Sequence, residues 1–237
     1  LSSYSYSAGI LSEGLCVYPP GAEFVGGNIG IGGNWVLLKE LENKLKTMKK
    51  KTALITGING QDGSYLAEFL LEKGYAVWGT VKRNSVAENQ TSRLDSIFKD
   101  ITLEYADLND LASLIRVIQL SKPDEIYNLA AQSHVRISFD QPIYTTQTTG
   151  IGTLNLLEAI KLTDTSIKMY QASSSEMFGN SIDEDGFQRE STPLNPVSPY
   201  GCAKVFSYNI CRNYRNAYNL FVLPQILPAF IIIYSSN

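Results

Sequence analysis

The sequence predicts an α/β fold built on a doubly wound parallel sheet. Three observations carry that prediction. Short apolar strands alternate with longer helical stretches from residue 51 to 222, a glycine-spaced turn joins the first strand to the first helix, and a tyrosine and a lysine stand one helical turn apart near the end. Strands are expected at 52–56, 76–81, 101–105, 125–129, 167–171 and 220–223. Helices are expected at 62–73, 110–120, 142–162 and 199–218. In the first of these, Tyr65, Leu66, Phe69 and Leu70 recur at helical spacing. Apolar strands separated by helices belong to a sheet that is covered on both faces.

The 237 residues are 44% hydrophobic and 18% charged, an ordinary globular composition with enough chain for one large domain. A net charge of −3 points away from nucleic acid and from a membrane surface. The three cysteines, Cys16, Cys202 and Cys211, have neither the number nor the spacing of a disulfide framework or a zinc site. His134 is the only histidine, which sets aside a histidine metal centre and a serine–histidine triad, so no metal is expected. The chemistry then falls to Tyr, Lys, Ser, Glu and Asp, or to a bound cofactor. No apolar run reaches the roughly 20 residues of a membrane span. The opening residues lack the basic segment and apolar core of a signal peptide, and a cytoplasmic setting is expected.

Three zones follow one another. Residues 1–47 are glycine-rich, carry no Lys or Arg up to Trp35, and sustain no helical or strand period, although 37–45 can form a short helix. Met48 precedes the first strand, so this zone reads as extraneous; the alternative is a genuine N-terminal arm. Residues 48–222 hold the alternating pattern. Residues 223–237 are prolines and apolar side chains without charge, an aberrant tail that invites aggregation.

The run Gly57-Ile58-Asn59-Gly60-Gln61-Asp62-Gly63 lies between the first strand and the first helix. Its first glycine permits a tight turn, the second lets backbone approach a pyrophosphate, and the third allows close helix–strand packing, while the helix N-terminus offers N–H groups to the phosphates. Glycines so spaced also occur in plain turns; the strand–turn–helix context selects a Rossmann-type dinucleotide site. The second strand ends in Val81-Lys82-Arg83, with no acid until Glu88. A guanidinium suits a 2′-phosphate, so Arg83 favours NADP over NAD. Asp107 and Leu108 after the third strand are placed to meet the adenine. Leu129, Ala130, Ala131, Gln132 and Ser133 after the fourth are mostly small enough to let backbone lie along the cofactor.

Tyr200 and Lys204 are four apart on one helix face. A tyrosine titrates near about 10, and a neighbouring ammonium, aided by an oxidised nicotinamide, favours the phenolate that can accept a hydroxyl proton. Ser174, just past the fifth strand, can hydrogen-bond the reacting oxygen. Glu176 supplies what simple oxidation does not need: a base at the carbon beside a new ketone.

Taken together, Gly60-Gln61-Asp62-Gly63-Ser64-Tyr65-Leu66-Ala67-Glu68, Tyr127-Asn128-Leu129-Ala130-Ala131-Gln132-Ser133, Gln171-Ala172-Ser173-Ser174-Ser175-Glu176 and Ser198-Pro199-Tyr200 resemble the GDP-mannose 4,6-dehydratase branch of the extended short-chain dehydrogenase/reductase family. The resemblance runs from about Met48 to Val222. It implies NADP contacts at 57–62, Arg83, Asp107, Leu108, 129–133, Tyr144, Tyr200 and Lys204. It implies catalytic roles for Ser174, Glu176 and Tyr200, with Lys204 in support. Ser174 stands where many members carry threonine, and Ser175 where dTDP-glucose dehydratases carry aspartate. The resemblance also implies GDP-mannose as substrate, a homo-oligomer through helices such as 142–162 and 199–218, and a C-terminal substrate domain. That domain is missing here, so the chain alone is expected to be inactive. The alternatives are another NADP-dependent nucleotide-sugar epimerase or reductase, or a non-catalytic NADP-binding fragment.

Overall fold

The computed structural model describes residues 10–11, 15–16, 50–83 and 92–225. The chain divides into two compact units, Leu1–Lys49 and Lys50–Asn237. In the first, Ile10–Leu11 pairs antiparallel with Leu15–Cys16, strand character that the sequence pattern did not suggest. The expected helix at 37–45 lies outside the described residues, as do the end of the second strand's loop at 84–91 and the chain from 226.

In the second unit the elements run β1 (Thr52–Thr56), α1 (Gln61–Glu72), β2 (Ala76–Val81), β3 (Ile101–Tyr105), α2 (Leu111–Ser121) and β4 (Glu125–Asn128). Then come α3 (Val135–Asp140), α4 (Pro142–Thr145), α5 (Gly152–Thr163), β5 (Lys168–Ala172), α6 (Pro199–Tyr218) and β6 (Val222–Gln225). The sheet order is β3-β2-β1-β4-β5-β6, parallel throughout. Strand order reverses between β1 and β4, and a ligand crevice forms outside the carboxyl ends at such a reversal.

Alternation along β1 divides the core. Ala53 and Ile55 join Ala67 and Leu70 of α1 with Val77 and Val81 of β2 on one face. Leu54 joins Leu114 and Ile118 of α2, Leu157 and Ile160 of α5, and Tyr214 of α6 on the other. Short polar side chains start α2 and α6. Asp110 accepts from the Ala112 and Ser113 N–H groups at 3.0 and 3.3 Å, and Ser198 accepts from Gly201 N–H at 3.0 Å ahead of Pro199. Asn219 ends α6 in the left-handed region, at φ 54°.

Two expectations need correction, and one helix is new. The helix expected at 142–162 is broken by a wider π turn over Thr146–Ile151. There the Thr153 hydroxyl donates to the Thr149 carbonyl at 2.9 Å and Thr145 to the Gln141 carbonyl at 2.9 Å, the back-bonding by which hydroxyls disturb a helix ladder. Helix α3 was not foreseen; His134 caps it by accepting Ile137 N–H on Nδ1 at 3.4 Å. The sixth strand lies at Val222–Gln225 and not at 220–223, because Leu220 is buried in the core ahead of the strand. Pro224 is tolerated there because β6 is an edge strand.

Packing is tight where β2 meets the first turn. A Cβ on Gly79 would lie 2.4 Å from Ile58 Cδ1 and 2.7 Å from Ile58 Cβ. Gly79→Ala should therefore destabilise the fold by about 1–3 kcal/mol through overpacking. Ile58→Ala opens the matching space, so the two changes together should cost less than their sum by roughly 0.5–3 kcal/mol, measured as a double-mutant cycle by denaturant unfolding. Strict additivity would show that the contact is not tight.

Candidate active site

The crevice is built at the carboxyl ends of β1 to β5. After β1 the chain turns at Gly57, whose φ of 68° is in the left-handed region and whose added Cβ would stand 3.0 Å from Ala130 Cα. Gly60 N–H closes the turn on the Gly57 carbonyl at 3.0 Å. A Cβ on Gly60 would meet only that carbonyl, at 3.2 Å, so this side of the turn is open backbone. Gly60 is also the N-cap of α1, and no side chain caps the helix. An open turn at an uncapped helix N-terminus fits a pyrophosphate, which can take up the N–H groups that a capping side chain otherwise occupies. Gly63 is buried, and a Cβ on it would lie 2.4 Å from the Gly57 carbonyl. Asn59 is half-buried, while Gln61 and Asp62 are exposed in the first turn of α1.

Beyond β2, Lys82 reaches Asp107 after β3 at 3.0 Å and donates to the Tyr144 hydroxyl of α4 at 3.5 Å, with its ammonium 5.3 Å from that ring centroid. The hydrogen bond to Asp107 holds the Lys82 amine above its usual range. Asp107 and Tyr144, separate in sequence, are thus brought together by a lysine that sequence reasoning did not place in the site. Its signal was a second cation directly before Arg83. Arg83 itself is exposed, its guanidinium carbon 6.0 Å from the Tyr105 ring centroid. Leu108 is buried, and its carbonyl accepts from the Asn155 amide at 2.8 Å.

The loop after β4 is held by threonines from the π turn and α4. Gln132 N–H donates to Thr149 Oγ1 at 3.2 Å, and Thr145 Oγ1 lies 3.2 Å from Gln132 Oε1. Leu129, Ala130 and Ala131 are half-buried, and Ser133 is exposed. Thr145 and Thr149 were missed; four threonines within residues 145–149, a poor composition for a helix, were the available signal.

Beyond β5, Ser174 accepts Glu176 N–H at 3.3 Å and begins the short helical turn Ser175–Met177. Buried Met177 anchors that turn. Helix α6 starts against it, since a Cβ on Gly201 would lie 2.7 Å from the Glu176 carbonyl. The close approach brings Tyr200 to Ser174 and Glu176. Burial pushes the Tyr200 phenol up, a hydrogen bond from Ser174 pulls it back, and the Glu176 charge raises it again. Lys204 lies on the same face of α6, 5.7 Å from the Tyr200 ring centroid, but its Nζ donates to the Ala172 carbonyl at 2.8 Å. Burial lowers its amine to about 8. Among the groups of the chain itself, desolvation outweighs the favourable hydrogen bond, and the phenol stands above its ordinary range. Ser174, Glu176 and Tyr200 thus bring a hydroxyl, a carboxylate and a phenol together.

The chain matches the family described as GDP-mannose 4,6 dehydratase over residues 54–228. It is 50% identical over 192 residues to the GDP-mannose 4,6 dehydratase of Cricetulus griseus, covering 77% of this chain and 50% of that one. It is 50% identical over 188 residues to that of Homo sapiens, covering 75% and 50%. The chain spans about half the length of the curated relatives it matches. Among solved structures, the dTDP-glucose 4,6-dehydratase of Streptomyces venezuelae, with NAD bound, is 30% identical at a TM-score of 0.64, over 73% of this chain and 54% of that one. The UDP-glucose 4-epimerase of Thermus thermophilus, in complex with NAD, is 25% identical at a TM-score of 0.64, over 73% and 53%. With the reversed strand order, the open glycine turn and relatives of half identity on one side of the comparison and the family match on the other, the chain belongs to the GDP-mannose 4,6-dehydratase family.

Proposed function

We propose that residues 48–222 form the NADP-binding and catalytic domain of an enzyme that converts GDP-mannose to GDP-4-dehydro-6-deoxymannose. The observation that carries this reading is the meeting of Ser174, Glu176 and Tyr200 beside a dinucleotide cradle. When bound, NADP would accept the C4 hydride and later return it to C6, so the reaction would have no net redox change. Ser174 holds the C4 oxygen and Tyr200 takes its proton. The resulting 4-ketone acidifies C5, where Glu176 removes the proton as water leaves from C6, and C5 regains a proton as C6 is reduced. Lys204 supports Tyr200 with its charge. Residues 57–63 hold the pyrophosphate, with Asp107, Leu108 and Tyr144 around the adenosine and 129–133 along the nicotinamide side.

A cytoplasmic setting is part of this reading; it is supported by the unpaired Cys202 and Cys211, and no helix among the described residues is long and apolar enough to cross a membrane. So is a homo-oligomeric full-length enzyme, supported by apolar side chains exposed on α3 to α6, among them Phe139, Ile143, Ile151 and Phe206. The likeness to an epimerase favours a second reading, an NADP-dependent epimerase or reductase of a nucleotide sugar. Glu176 separates the two, because that chemistry needs no base at C5.

In the isolated chain, Arg83→Ala should weaken NADP⁺ binding about 10-fold or more and leave NAD⁺ binding nearly unchanged, read by calorimetric titration; one bidentate, charge-assisted contact is worth about 1.5–3 kcal/mol. Equal affinity of the unmutated chain for the two cofactors would sink the preference. The chain alone should form no 6-deoxy product, because positioning of the sugar by the other half contributes many orders of magnitude.

The dehydratase reading is tested in a chimaera that carries the remaining half of a relative. Glu176→Gln should slow product formation by about 10² to 10⁴ while substrate-dependent NADPH absorbance persists. Tyr200→Phe should abolish both signals. Unchanged product formation in Glu176→Gln would return the chain to the epimerase or reductase reading.

A further inference from the structure

We propose that Gln171 is a positioning residue for the Lys204 amine, acting through the Ala172 carbonyl at the end of a buried polar ladder that crosses the sheet. The ladder has a direction. Ala130 N–H can only donate, and it does so to Thr56 Oγ1 at 3.2 Å. The Thr56 hydroxyl then donates to Asn128 Oδ1 at 2.6 Å, which leaves Asn128 Nδ2 to donate to Gln171 Oε1 at 2.7 Å. Thr153 Oγ1 of α5 lies 3.4 Å from the same Gln171 oxygen, its proton directed to the Thr149 carbonyl at 2.9 Å. With Asn128 donating to its oxygen, the Gln171 amide turns its NH₂ outward, and Nε2 donates to the Ala172 carbonyl at 3.1 Å. Lys204 Nζ donates to that same carbonyl at 2.8 Å.

Thr56, Asn128, Thr153 and Gln171 are each 1% exposed and Lys204 4%, so water cannot substitute for a lost partner. Thr56 is opposite Asn128, and Asn128 opposite Gln171, in the strand registers of β1, β4 and β5. The ladder therefore joins the strand that ends in the glycine turn to the strand that leads into Ser174. Its last member fixes the one carbonyl on which the amine rests. A buried network of this kind specifies orientation when every member is satisfied. Gln171 thus holds Lys204 within reach of Tyr200 without touching substrate, cofactor or reacting atoms. Titratable groups bearing on Lys204 come from its own helix: Tyr200 one turn before it and Cys211, whose thiol burial pushes up to about 12.

The role of Lys204 rests on the function proposed above, whereas its placement by Gln171 does not, and the two are tested separately. The chain is labelled with ¹³Cε-lysine, Lys204 is identified from the Lys204→Met spectrum, and its resonance is followed from neutral to alkaline pH. In the unmutated chain a pinned amine should give two distinct Hε signals. In Gln171→Glu, Asn128 still donates to the side chain while the new carboxylate places negative charge beside the amine, so the Lys204 midpoint should rise by about 1 to 3 pH units. Gln171→Met fills the same volume but cannot donate to the carbonyl, so the two Hε signals should merge. A residue that served packing alone would leave both midpoint and splitting unchanged in Gln171→Met. That outcome overturns the proposal, and it decides the matter if Gln171→Glu does not fold. Hydride transfer that survives Lys204→Met in the chimaera would instead refute the catalytic reading of Lys204, with these spectra unaffected.

Discussion

Everything at the site depends on how closely the turn after β1 can lie against its neighbours. Ile58 is fully buried, and the space it fills exists because Gly79 across the sheet has no side chain. Burying an isoleucine of this kind contributes about 1.5–3 kcal/mol. Gly57 lies against Ala130, and Gly63 lies against the turn's own backbone. With these contacts made, α1 begins where the strand ends, and its N–H groups face the reversal between β1 and β4. A side chain at any of the three positions would push the helix out and move the anion site with it.

The second constraint is electrostatic. The chain buries a lysine and a tyrosine side by side, and burial acts against the charged form of each: the lysine falls to about 8 and the phenol rises. A proton-transfer group near neutral pH is more useful than one at its ordinary value. Ser174 already works toward the phenolate, whereas Glu176 works against it. In the proposed reaction, the carboxylate that would serve elimination thus makes deprotonation of Tyr200 harder.

Much of this was legible in the residues. Strand–helix alternation gave the sheet, because parallel strands buried on both faces must be apolar and must be joined by helices. The glycine spacing gave the turn, since there the backbone needs both a positive φ at Gly57 and a missing Cβ at Gly63. Less legible were features without a period. Helix α3 is too short to show one, and the π turn hides inside a segment whose flanks are good helix. Strand β6 came out two residues later than its apolar pattern, because Leu220 is committed to the core before the strand begins.

By itself, the sequence determined which chemistry is available: one histidine, a Tyr–Lys pair at helical spacing, and Ser174 and Glu176 directly after a strand. Residue type and local spacing are enough for that, since they follow from the helical and strand repeats. Only the tertiary structure decided which groups meet. Lys82 joins Asp107 to Tyr144 across three elements. Thr56, Asn128 and Gln171, up to 115 positions apart in the sequence, line up because parallel pairing puts them in register. Lys204 rests on a carbonyl of another strand and not on the tyrosine of its own helix, because a buried ammonium takes the nearest strong acceptor, and backbone geometry alone fixes where that acceptor is.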